Sequence, residues 1–166
     1  LEEYAKKLGL TTQVGHVTPQ LFKLNQFKQL DGEDPGRVFA EGVSRDDEGV
    51  LIQSAIGQRD VRITPLQATN MMVTILHGGQ SSQVRLVKEI AYRNGQSFHS
   101  FPEHLLSPDG IDYVTAGKLR KMMRKVVTDG TGQMLLDLPW QVAGKSGTAQ
   151  IGSANGNNHL WFLGYA

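Results

Sequence analysis

The sequence predicts an α/β fold, and three observations carry that expectation. Apolar residues recur at helical spacing, first at Leu1, Tyr4, Ala5 and Leu8. A Thr-x-x-Gln capping box, with proline at the first helical position, opens a stronger helix at Thr64. The last stretch reads instead as a β-hairpin, with residues 141–151 as one strand, a Gly/Asn/Ser connector over 152–158, and 159–166 as the return.

Taken in order, the helix over 1–8 has its stop signal in Gly9. Residues 10–50 hold no period for long and carry the turn formers Pro19, Gly32, Pro35, Gly36 and Gly49. Irregular structure is expected there, with one short helix near 21–27 and a solvated acidic run at Asp46, Asp47 and Glu48. After Thr64 and Pro65, the residues Leu66, Ala68, Met71, Met72, Val73, Ile75 and Leu76 cover most of a helical surface. That helix should be buried nearly all round, its Met pair packed in the core, and ended by Gly78-Gly79. Val84, Leu86, Ile90 and Tyr92 alternate toward Asn94-Gly95, a hairpin turn whose returning strand holds Phe98 and Phe101. A third helix is expected over 112–127, with Leu119, Met122, Met123 and Val126 inward and Gly130 ending it. Its opposite face, Lys118, Arg120, Lys121, Arg124 and Lys125, reads as solvated, since no aromatic residue interleaves it.

Composition narrows the function classes. The 166 residues carry 17 Lys+Arg against 16 Asp+Glu, a net charge of +1 that argues against binding nucleic acid by phosphate neutralisation. With 39% hydrophobic residues the chain can bury a core, and disorder is excluded. No apolar run approaches the ~18 residues that a membrane span needs. The absence of cysteine removes disulfides, thiolate metal sites and a cysteine nucleophile together. His16, His77, His99, His104 and His159 share no helix-face spacing and no carboxylate at a metalloprotease offset, so no metal site is assigned. His159 opens the final strand and should lie near any cleft there. The chain begins at Leu1 within a helical pattern and stops at Ala166 within a strand-like run, and it is read as an excised piece of a larger domain.

The most informative stretch runs from Val142 to Gln150 and contains Gly144-Lys145-Ser146-Gly147-Thr148. A phosphate-binding loop would need glycine at position 139, which is Pro139, and a helix after the Ser, where Gly147 and a strand pattern stand instead. The alternative is the K-[ST]-G signature of serine acyl-transferring, penicillin-recognising enzymes, carried on an edge strand. A cation and two hydroxyls on one exposed strand suit an extended peptide ending in a carboxylate, and such a peptide can align as an added strand. Gly147 leaves room where substrate or another backbone comes close.

Further blocks extend the likeness. They are Ser54-Ala-Ile-Gly-Gln58, Ile63-Thr-Pro-Leu-Gln67, Met122-Met-Arg-Lys-Val-Val127, Gly130-Thr-Gly132, Ala143-Gly-Lys-Ser-Gly-Thr-Ala-Gln150 and His159-Leu-Trp-Phe-Leu-Gly-Tyr-Ala166. In this order and spacing the chain resembles the transpeptidase domain of class B penicillin-binding proteins, which cross-link peptidoglycan. The resemblance covers most of the chain beyond residue 50. Arg59 departs from it, since family members usually have a second glycine after Gly-Gln.

The resemblance implies a penicillin-binding/β-lactamase-like fold, an antiparallel sheet packed against helices beside a mainly helical subdomain. Residues 1–166 would be a partial transpeptidase domain, with 1–139 the mostly helical part plus a small hairpin and 140–166 two strands of the central sheet. It implies acyl transfer from a serine in an S-x-x-K motif to an amine, on stem peptides ending in D-Ala-D-Ala, with acylation by β-lactams. Lys145 and Thr148 would be the catalytic residues, and Lys145, Ser146, Gly147 and Thr148 would bind substrate. Lys145 favours the ionised carboxylate and the proton path, Ser146 and Thr148 donate to that carboxylate, and the Thr148 N–H forms half of an oxyanion hole.

No Ser in the chain has Lys three places on, so S-x-x-K is missing. Thr115-Ala-Gly-Lys118 belongs to the third helix, Ser153-Ala-Asn155 stands in the wrong order for S-x-N, and Tyr92-Arg-Asn94 is explained by its Asn-Gly turn. The chain alone is therefore expected to be inactive and marginally stable. The resemblance implies no cofactor and no nucleic-acid partner. The expected partners are stem peptides, β-lactams, the missing N-terminal part of the domain, and elongation or division machinery, all outside the cytoplasmic membrane of a bacterium. Two alternatives remain at this point: a β-lactam sensor or β-lactamase relative, and a non-catalytic peptide-binding module.

Overall fold

The computed structural model describes all residues except 16, 20–25, 31, 108–109 and 151–157. The first helix, α1 (Glu2–Lys7), has glutamates in its first turn and lysines in its last, both complementing the helix dipole. Gly9 follows at φ +73°, the left-handed stop expected there. Of its apolar face only Ala5 is buried, while Leu1 and Tyr4 stay exposed. Strands β1 (Val17–Pro19) and β2 (Gln26–Lys28) pair antiparallel. The short helix expected near 21–27 is thus corrected at its end, where Gln26 and Phe27 lie in a strand, and 21–25 fall outside the described residues.

A helix that the sequence reading did not foresee, α2 (Glu48–Ala55), grows from the acidic run. The Asp47 carboxylate caps it by accepting the Val50 N–H at 3.0 Å. Asp47 is therefore a cap rather than merely a solvated charge. The helix buries only Val50 and Ser54, which explains why no period was visible.

Helix α3 (Pro65–Leu76) starts as expected. The Thr64 hydroxyl accepts the Gln67 N–H at 3.1 Å, and the Gln67 carbonyl oxygen accepts the Thr64 N–H at 2.9 Å. Gln67 is fully buried, and its remaining amide hydrogens go to the carbonyls of Thr12 (3.0 Å) and Asp34 (3.1 Å). One side chain thus satisfies three backbone groups and ties two loops to the helix. Ala68, Met72, Thr74 and Ile75 are buried with it, so the helix is enclosed on most sides.

Strand β3 (Ser81–Ser82) pairs with β6 (Leu105–Ser107), and β4 (Glu89–Ala91) with β5 (Ser97–Ser100). The second pair closes at Gly95 (φ +84°) with Tyr92 edge-on to Phe98 at 5.4 Å, as expected, but the returning strand stops at Ser100, and Phe101, expected within it, lies just beyond and is buried. Helix α4 (Tyr113–Thr128) is capped by Asp112, which accepts the Thr115 N–H at 2.9 Å. Its buried stripe is Ala116, Met123 and Val127, with Leu119 packed beside it. Met122, expected inward, is 62% exposed because it stands about 100° from Met123 around the helix.

The C-terminal hairpin is β7 (Ala143–Gln150) and β8 (Asn158–Tyr165), antiparallel from Ala143↔Tyr165 to Gln150↔Asn158. Gly144 faces Gly164, and a Cβ on Gly144 would come within 2.6 Å of the Phe162 ring, so the ring lies where that side chain would be. The core is built where Met72 and Ile75 of α3, Ala116 and Met123 of α4, and Ala143 of β7 converge with Ile111, Leu163 and Tyr165. α4 packs on β7 and α3 on β8, and together they hold the hairpin in place.

Candidate functional site

Among the described residues β7 pairs only with β8, so its other edge is free of strands. Within a strand a residue's N–H and C=O point to one edge, and residues two apart share it. Contacts made by Ser146, Thr148 and Gln150 identify that edge. The Lys145 ammonium donates to the Ser146 carbonyl, and the Gln58 amide donates to the Thr148 carbonyl at 2.8 Å. The Gln150 N–H donates back to the Gln58 side-chain oxygen at 3.4 Å. The N–H of Thr148 faces the same side as its carbonyl.

The structure brings the four motif residues together on this strand, with Lys145, Gly147 and Thr148 exposed and Ser146 half-buried. A Cβ on Gly147 would meet nothing nearer than the Trp161 Cβ at 3.8 Å, so no part of the chain crowds that position. His159 stands opposite Ala149 in the register, on the neighbouring strand and exposed. His16 and Ser153-Ala-Asn155 lie outside the described residues. His77, His99 and His104 lie in other parts of the chain, and no group of three metal-binding side chains occurs among the described residues.

Three residues at this edge stand in the matching sequence blocks, yet the sequence alone assigns none of them a role here. Thr131 sits in a tight turn where the Gly132 N–H returns to the Val126 carbonyl at 2.9 Å, and its hydroxyl lies 3.0 Å from that of Ser146. Arg124, assigned to a solvated face, donates to the Val142 carbonyl at 2.6 Å and so anchors the start of β7. Arg120 likewise turns back, toward the Leu76 carbonyl at 3.4 Å. Lys118, Lys121 and Lys125 are exposed as expected. Gln58 is the third, held at the end of α2 by its own N–H bonded to the Gln53 carbonyl at 2.9 Å. Its neighbours Gly57 (φ +79°) and Arg59 (φ +64°) both occupy the left-handed region. Arg59, where the resemblance expects glycine, thus holds a conformation that glycine takes without strain.

The strand edge, its lysine and its paired hydroxyls agree with a family match along nearly the whole chain. Residues 3–166 match the model of the penicillin-binding protein transpeptidase domain. The chain belongs to that family. Peptidoglycan D,D-transpeptidase MrdA of Haemophilus influenzae is 32% identical over 137 residues, covering 72% of this chain and 21% of the relative. Penicillin-binding protein A of M. tuberculosis, solved as a ceftriaxone acyl-enzyme complex, shares the fold with a TM-score of 0.72 at 22% identity. That match covers 98% of this chain and 33% of the other. Penicillin-binding protein 2B of Streptococcus pneumoniae gives 0.69 at 20% identity, over 96% of this chain and 25% of that one. The chain thus spans about a fifth of its curated relative and a quarter to a third of these structures.

Proposed function

We propose that the chain is part of a class B peptidoglycan D,D-transpeptidase and supplies the strand on which the acyl-donor peptide is held. The observation that carries this is the strand-free edge of β7, where a lysine and two hydroxyls lie along one strand with open space at Gly147. An extended stem peptide adds to this edge by backbone hydrogen bonds. Its terminal carboxylate accepts hydrogen bonds from the Ser146 and Thr148 hydroxyls, and Thr131 orients the first of these. Lys145 supplies the positive charge that favours the ionised carboxylate.

The nucleophile comes from elsewhere in the protein, since no Ser here precedes Lys at the required spacing. Its oxygen bonds to the penultimate D-Ala carbonyl carbon, the C–N bond to the terminal D-Ala breaks, and the departing amine takes the proton. The Thr148 N–H stabilises the intermediate oxyanion together with the serine's own N–H. A neighbouring stem's amine then attacks the ester and releases the serine. A β-lactam follows the first half of this path, but its ring-opened amine stays tethered. The protein works outside the cytoplasmic membrane, where peptidoglycan lies.

Labelling with a fluorescent penicillin tests the reading. The full-length protein forms a covalent adduct and the 166-residue chain does not. An adduct on the chain alone overturns the external nucleophile, and no adduct on the full-length protein overturns the catalytic reading.

A further inference from the structure

Gln58 makes a contact that the transpeptidase reading does not use. Its carboxamide offers one donor and one acceptor to two residues of the same strand edge, at 2.8 Å to the Thr148 carbonyl and 3.4 Å from the Gln150 N–H. That is the pair of contacts a residue of an added strand would offer. The side chain is not there by slack. The Gly57 and Gln58 amides close the end of α2 on the carbonyls of Ser54 (3.1 Å) and Gln53 (2.9 Å). The next residues are braced by Arg62 on the Arg59 carbonyl (3.3 Å), by Arg59 on the Asp60 carboxylate (3.1 Å) and by Arg37 on the Asp60 carbonyl (3.3 Å). A non-glycine residue at φ +64° is retained in this loop, a strain that such bracing sustains.

We propose that Gln58 is a specificity-determining residue that stands in for the acyl-donor peptide on β7 and must be displaced by it. This rests on the reading of β7 as the peptide-binding edge. The carboxamide satisfies the Thr148 carbonyl and the Gln150 N–H, which would otherwise be unpaired on an open edge. A donor whose backbone N–H needs the Thr148 carbonyl competes with Gln58 for it. A ligand without such an N–H leaves the carboxamide in place. Gln58 therefore weakens binding selectively for peptide-like donors, and its removal should help those donors only.

The test measures second-order acylation rates of the full-length protein by penicillin G, which carries a side-chain amide N–H, and by imipenem, which has none. Gln58→Ala, and Gln58→Asn whose amide is one methylene too short to span both partners, should each accelerate acylation by penicillin G. The expected gain is roughly three- to tenfold, the effect of removing one competing hydrogen-bonded contact. Imipenem rates should stay unchanged. A merely structural Gln58 would move both ligands together and lower the melting temperature. Equal changes for both ligands, or no acceleration by penicillin G in either variant, overturn the proposal. Failure of the unaltered protein to react with either ligand would instead overturn the transpeptidase reading beneath it.

Discussion

Two glycines of β7 show how differently one residue type can be used. At Gly144 the chain itself forbids a side chain, because the Phe162 ring fills the space. At Gly147 nothing within the chain does, and its φ is not in the left-handed region. If only a bound peptide requires the gap, Gly147→Ala separates folding from binding. The substitution should leave the stability of the chain unchanged or raise it by about 0.5–1 kcal/mol, since glycine weakens a strand. Penicillin acylation of the full-length variant should fall by tenfold or more. Retained acylation would show that no ligand approaches there. The same scale explains what was legible. Lys145, Ser146, Gly147 and Thr148 are contiguous and chemically conspicuous, so the motif could be read directly. Gln58 meets Thr148 across 90 positions, Arg124 meets Val142 across 18, and Thr131 meets Ser146 across 15. Each stands in a block that carries the resemblance, yet nothing local gives it a role, and only packing turns it into part of the edge.

Among the elements, those governed by local chemistry were the most readable. The capping box at Thr64, the left-handed Gly9 and the Asn94-Gly95 turn each depend on a few neighbouring residues, and all three stand as expected. Helix α2 was missed because its signal is one cap and two buried residues, too little for a period. The inward face of α4 was misjudged at Met122 because the helix is oriented by its contact with α3 and β7, which the heptad-like pattern does not encode. The cap of α4 gives this scale its prediction. Hydrogen bonds from the Thr115 hydroxyl and then from the Thr115 amide hold the Asp112 carboxyl below its ordinary value. A carboxyl depressed in the folded state contributes stability above its unfolded pKa and loses it as pH falls through the folded one. Asp112→Asn keeps a competent cap but has no charge to lose. Urea unfolding should find the unaltered chain more stable than this variant at pH 6, with the difference shrinking as pH falls below about 4 and gone once it passes the depressed folded value. A difference that stays constant with pH would show that the carboxylate charge is not involved.

At the scale of the whole molecule, surface area is the decisive quantity. The chain exposes 11430 Å², whereas a compact monomer of 18.3 kDa is expected to expose about 8,100 Å². Much of the excess is apolar: Met134 is 85% exposed, Leu160 80%, Ile56 72% and Trp140 66%. Leu160 lies on β8, and Ile56 closes α2 just before Gln58, so two elements beside the candidate site carry uncovered apolar side chains. The described strands form four separate pairs, and each pair leaves two edges open. Two-stranded sheets gain little stability on their own. What holds the chain together is the one convergence of α3, α4 and β7, with the buried Gln67 pinning nearby loops. A core of that size opposed by this much exposed apolar surface should give a broad thermal transition below about 60 °C and strong binding of a hydrophobic dye before melting. The chain spans a quarter to a third of the solved chains it resembles, and further polypeptide packed on it would cover such faces. Calorimetry of the 166-residue chain checks this, and a single cooperative transition above about 60 °C without dye binding would mean that the chain needs no such cover.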